Sequence, residues 1–116
     1  MAIGTPGKIR RAPFLPRELA LLERDAWVRF TAIAESFEPL ARELLRCRLA
    51  GTSTPEMERS YRAAEPEYEE AKKALHAINK RIIGVYWVHR RCAHCLALVP
   101  GAMPCQVCDA DRRNLL

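Results

Sequence analysis

The sequence predicts a mainly α protein: a long antiparallel helical hairpin, or coiled coil, followed by a small C-terminal β module built around four cysteines. Three observations carry this reading. Apolar residues recur at steps of three and four from Leu19 to Cys47 and again from Met57 to Val85, which is the period of an amphipathic helix. Gly51, Thr54 and Pro55 interrupt the two runs with stop and start signals. Beyond the second run stand two Cys-x2-Cys pairs, Cys92 with Cys95 and Cys105 with Cys108.

The 116 residues have room for one compact domain, or for one extended unit with an appendage. A multidomain enzyme is excluded. Hydrophobic residues make up 49% and charged residues 28%, with only 7% aromatic, which favours a helical, solvent-laced structure over a thick core. Residues 1–15, with Gly4, Pro6, Gly7 and Pro13 and few apolar groups, read as a flexible basic arm. Residues 16–84 read as the hairpin, with its turn near 51–54, and residues 85–116 as the cysteine module and tail.

In the first arm the seam is Leu19, Leu22, Ala26, Phe30, Ile33, Phe37, Leu40, Leu44 and Cys47. In the second it is Met57, Tyr61, Ala64, Tyr68, Ala71, Leu75, Ile78, Ile82 and Val85. Both have a mean step of about 3.5, the heptad value of a coiled coil. Facing residues in an antiparallel hairpin have numbers adding to a constant, and this register pairs Leu44 with Tyr61, Phe37 with Tyr68, Ile33 with Ala71 and Leu22 with Ile82. Each arm would be about 50 Å long. Pro39 and Pro66 fall at matching heights, so each either kinks its helix or restarts it after a break. A second stripe of Ala20, Trp27, Ala34 and Ala41, with Ala63, Ala74 and Ala77 opposite, calls for a cover. The candidates are the Phe14-Leu15 segment, a second copy of the chain in a homodimer, or a partner helix.

Gly84 reads as a helix C-cap, and Val85-Tyr86-Trp87-Val88-His89 is rich in strand-favouring residues. Five cysteines cannot all pair in one chain, and no signal-like apolar run follows Met1, so the expected setting is a reducing cytoplasm. No stretch approaches the roughly 18 apolar residues of a membrane span. In that compartment two Cys-x2-Cys pairs point to four thiolates around one structural Zn2+, with Cys92, Cys95, Cys105 and Cys108 as ligands. An iron or iron-sulfur centre is the competing reading. Cys47 is expected as a buried thiol in the seam.

The segment from Cys92 to Cys108 resembles the four-cysteine zinc ribbon, which implies small β hairpins carrying the two knuckles. The glycine that often follows each pair in that family is replaced here by Leu96 and Asp109. The order of hairpin and then four-cysteine module resembles the DksA and TraR family, regulators that insert a coiled coil into the secondary channel of bacterial RNA polymerase. The tip Leu49-Ala-Gly-Thr-Ser-Thr-Pro-Glu56 lacks the paired aspartates of that family, and the spacer between the pairs is shorter.

Net charge is +5, concentrated at both ends of the chain. Lys8, Arg10, Arg11, Arg90, Arg91, Arg112 and Arg113 are the candidate contacts to nucleic acid or to an acidic partner. No phosphate loop, Ser/His/Asp arrangement or paired acids mark a catalytic site, so a non-enzyme is expected. The leading expectation is an adaptor or transcription regulator that binds a larger protein complex through the hairpin. The alternatives are nucleic-acid binding by the ribbon and basic termini, and a structural subunit of an assembly.

Overall fold

The computed structural model describes residues 14–88, 90–101 and 103–108. Two long helices, α1 (Arg17–Ala50) and α2 (Pro55–Ile82), are followed by a two-stranded antiparallel sheet of β1 (Arg90–Arg91) and β2 (Leu98–Val99). The chain divides into two compact units, Asp25–His76 and the remainder, Met1–Arg24 with Ala77–Leu116. The division falls inside both helices. The first turns of α1 and the last turn of α2 share a core with the cysteine segment.

In the unit Asp25–His76 the helices pack side by side. Phe37 stacks on Tyr68 with ring centroids 4.3 Å apart, the pairing that the register arithmetic predicts. Phe37 also meets Tyr61 at 5.2 Å, and Tyr68 meets Phe30 at 5.4 Å. The four rings therefore alternate between the helices as a ladder, each inner ring lying between two from the opposite helix. Phe37, Leu44, Cys47, Ala71 and Leu75 are buried along this seam.

The turn is built by backbone chemistry. Gly51 takes φ 73°, a left-handed conformation open to glycine. Its N–H donates to Arg48 O, and the N–H of Thr52 donates to Cys47 O at 2.8 Å, the paired bonds of a Schellman cap. Thr54 caps α2, its Oγ1 accepting from the N–H of Met57 at 3.2 Å, and Pro55 occupies the first helical position. Pro39 and Pro66 both stand inside unbroken helices, which removes the restart reading.

Three sequence expectations are corrected. Leu22 is 49% exposed, because the buried face of the first turns of α1 is Leu19, Ala20 and Glu23 instead. Ala20 is covered by the chain itself: it belongs to one buried cluster with Leu15, Leu19, Ile82, Cys92, Ala97, Val99, Cys105 and Val107. Leu15, placed in the arm by the domain boundary but also offered as a cover for the stripe, is a core residue in that second role. The ladder forms at Arg90–Arg91 rather than in the run Val85–Val88, where Tyr86 makes an isolated bridge. Elsewhere in the alanine stripe Ala34 is buried, while Ala63, Ala74 and Ala77 are exposed. No described helix is long and apolar enough to cross a membrane.

Truncating Phe37 to Ala removes the ring that meets two others, and is expected to cost about 3–5 kcal/mol. Leu22→Ala, at an exposed position, is expected to change stability by about 0.5 kcal/mol or less. Urea unfolding followed by circular dichroism separates the two. Equal effects would contradict the observed seam.

Candidate metal centre

The cysteine unit is organised by short-range hydrogen bonds around each Cys-x2-Cys pair. β1 and β2 align Arg90 with Val99 and Arg91 with Leu98, so the first pair occupies the loop between them. Cys92 N–H donates to Ala97 O at 2.8 Å, and Leu96 N–H donates to Cys92 O at 2.9 Å. This closure needs a left-handed residue after Cys95. Leu96 supplies it with φ 67°, the only non-glycine with positive φ among the described residues. A side chain in that conformation costs roughly 1–2 kcal/mol, so Leu96 takes the backbone role for which a glycine was missing.

The second pair is built differently and reaches the same end. Residues 106–108 are helical, so Cys105 lies at the start of a helical turn rather than in a second β hairpin. In both pairs the first sulfur accepts backbone N–H groups two and three residues on: His94 and Cys95 for Cys92, Val107 and Cys108 for Cys105. The shared rule is a chain folded around a sulfur, with N–H dipoles aimed at negative charge.

All four sulfurs lie within 4.8 Å of one another. Cys92 Sγ is 3.6 Å from Cys108 Sγ, and Cys95 Sγ is 3.4 Å from Cys105 Sγ. A tetrahedral centre with metal–sulfur bonds of about 2.3 Å has sulfur–sulfur edges of about 3.8 Å. The cluster therefore has the size of a tetrathiolate site, and four sulfurs close together are able to hold a metal ion. Cys92 and Cys105 are buried, while Cys95 and Cys108 are half-buried.

The electrostatics of the four thiols are uneven. Backbone N–H groups, Cys95 first, hold the Cys92 thiol down to about 6. Burial pushes Cys105 up. Cys108 is pushed up chiefly by its hydrogen bond with Cys95, and burial adds to this. Four thiolates in so small a volume repel one another, and a bound dication removes that repulsion.

Of the predicted basic contacts, Arg91 is engaged within the chain. Its guanidinium meets Glu23 in a bidentate pair, both N–O distances 2.8 Å, and Nη1 also donates to Leu96 O at 2.7 Å. Glu23 is 1% exposed and is the only buried charged residue among those described. Arg90 is exposed and donates to Met103 O at 3.1 Å. Lys8, Arg10, Arg11, Arg112 and Arg113 lie outside the described residues. His76 and His94 are exposed and do not belong to the sulfur cluster. Cys47 is buried, as expected, with its sulfur 3.6 Å from Glu43 Oε1.

Sequence reading missed Glu23, and marked Leu96 only as a departure from the ribbon pattern. For Glu23 the available signal was its position four residues after Leu19, on the face that turns inward. No family model, curated protein or solved structure matches the chain.

Titrating Zn2+ into the reduced, metal-free protein at pH 7.5 is expected to release about one proton fewer per ion than the four of wholly protonated thiols, because Cys92 is already ionised. Calorimetry in buffers of different ionisation enthalpy counts these protons. As pH falls through about 6, Cys92 takes up its proton and the affinity should decline more steeply by one proton. Release of four protons at pH 7.5 would contradict the depressed Cys92 thiol.

Proposed function

We propose that this chain is a small zinc-binding adaptor or regulator that binds a larger protein complex through its helical hairpin. It performs no catalysis of its own. Four thiolates at tetrahedral spacing, with no oxygen or nitrogen donor in the cluster among the described residues, suit Zn2+ in a closed structural site. A closed site leaves no position for substrate or water. In this reading the centre stabilises a zinc-ribbon-like module too small to hold its own core, in a reducing cytoplasm where its thiols persist.

The observation that carries the binding role is at the end of α1. Leu49 is 83% exposed and Leu45 58% exposed, one turn apart and beside the capped turn. Single exposed leucines are ordinary, but two at i, i+4 form a common face. The turn presents them from a well-tied frame. Arg48 Nε donates to Glu58 Oε1 at 2.8 Å, joining the ends of the two helices. The same bond holds the Glu58 carboxyl below its usual range. An apolar pair on a braced helix end suits insertion into a hydrophobic cleft of a partner protein.

The order of hairpin and four-cysteine module is similar to that of the DksA and TraR regulators, which directs attention to RNA polymerase or another nucleic-acid-handling complex. The tip chemistry differs, since Glu58 is paired with Arg48 and the exposed groups are leucines. The contact proposed here is accordingly apolar.

Affinity capture from the native cell, read by mass spectrometry, tests this reading. The wild-type chain is expected to recover a stable protein complex. Leu49→Ser should reduce the recovery at least tenfold, the scale of a buried anchor residue. Leu22→Ser, an exposed leucine away from the turn, should leave it unchanged. Equal recovery by Leu49→Ser would sink the hairpin assignment. Binding to bare nucleic acid that weakens steeply with salt would favour the nucleic-acid alternative.

A further inference from the structure

We propose that Glu23, acting through Arg91, is a positioning residue that sets the metal affinity of the four-cysteine centre. This rests on the reading of that centre as a zinc site. Glu23 lies on α1, 68 residues from Arg91, and neither side chain belongs to the sulfur cluster. Its carboxylate is removed from water, with side-chain exposure of 2% against 21% for Arg91. Both oxygens are satisfied by the guanidinium fork. Such a pair is directional: two parallel bonds fix the guanidinium plane as well as its position.

The guanidinium so fixed meets the knuckle. Arg91 Nη1, already bonded to Glu23 Oε1, donates to Leu96 O at 2.7 Å. Leu96 holds the unfavourable left-handed backbone at φ 67°. Its N–H bonds Cys92 O, and the next residue, Ala97, accepts from Cys92 N–H. A chain of contacts therefore runs from Glu23 to Arg91 to Leu96 and then to the backbone that aims Cys92 and Cys95. Left alone, Leu96 would relax toward negative φ and open the loop. Arg91 opposes that relaxation, and Glu23 holds Arg91 in place. Partners that orient metal ligands from outside the coordination sphere typically contribute 10–100-fold in affinity.

The coupling is reciprocal: if the Glu23 contact favours metal binding, bound metal favours the contact by the same factor. Occupancy of the centre and attachment of the first turns of α1 are then linked.

Zn2+ affinity is measured by competition with a chromophoric chelator on the full chain, and coordination by the absorption of the Co2+ form. Glu23→Gln keeps the shape of the side chain and loses the charge. It is expected to lower affinity 10–100-fold while the Co2+ spectrum retains four thiolates. Arg91→Lys, which loses the fork, should do the same. The double variant should be no worse than the weaker single, since both break one chain of contacts. Ile82→Val loosens the same core at a side chain that cannot hydrogen-bond to Arg91, and should leave affinity within about twofold. Hydrogen exchange of the metal-loaded protein should show the Leu96 amide opening faster in Glu23→Gln, with the Thr52 amide unchanged. Unchanged affinity in Glu23→Gln, or an equal loss in Ile82→Val, overturns the positioning role. If Glu23→Gln does not fold, Arg91→Lys decides by the same criteria. A wild-type Co2+ spectrum without four thiolates would instead overturn the zinc reading.

Discussion

A carboxylate buried among apolar side chains must find a matched cation, because an unpaired charge there would cost several kcal/mol. That constraint, imposed by Glu23, governs the cysteine unit. Only a guanidinium reaching in from the start of the sheet satisfies both oxygens, and Arg91 does so at 2.8 Å on each side. Once Arg91 is held there, β1 is held with it. The sheet register then places Leu98 opposite Arg91, and the loop between the strands closes around Cys92. Glu23 is almost wholly removed from water and Arg91 largely so, with side-chain exposures of 2% and 21%. Replacing such a pair by apolar residues can be neutral for stability. What it supplies is direction, and the backbone of the first cysteine pair uses that direction.

The unit Asp25–His76 obeys simpler rules. Its stability comes from one ladder of four aromatic rings and a seam of aliphatic residues. Its geometry comes from two caps that satisfy the helix ends. Neither proline breaks its helix, so each leaves one carbonyl of the preceding turn without its usual partner. The capped turn carries Leu45 and Leu49 exposed beside it, the pair on which the proposed partner contact rests.

Much of this was legible in the sequence because it is local. The Gly51 stop, the Thr54 cap and Pro55 each act within four residues, and the four cysteines announce themselves by spacing. The pairing of Phe37 with Tyr68 was legible for a different reason: a fixed turn and a heptad repeat leave one register. Leu22 was misplaced because the heptad continues through a region where a third segment packs beside the end of the opposite helix and turns the inward face toward Leu19, Ala20 and Glu23. Glu23 and Arg91 carried no signal as a pair, since their partnership depends on tertiary burial across 68 positions. Leu96 shows the converse case. The absent glycine left the geometry of the first pair open, and the surrounding hydrogen bonds impose the glycine-like conformation on a leucine. The second pair sits on a helical turn rather than a hairpin, because the N–H groups at the start of a helix can cradle a sulfur as a knuckle does.

The central claim is that Cys92, Cys95, Cys105 and Cys108 together form one closed metal centre. X-ray absorption spectroscopy of the zinc-loaded protein tests it most directly, because it counts the atoms around the ion. The account predicts a single shell of four sulfurs at about 2.3 Å. A shell containing nitrogen or oxygen, with three sulfurs or fewer, would contradict it.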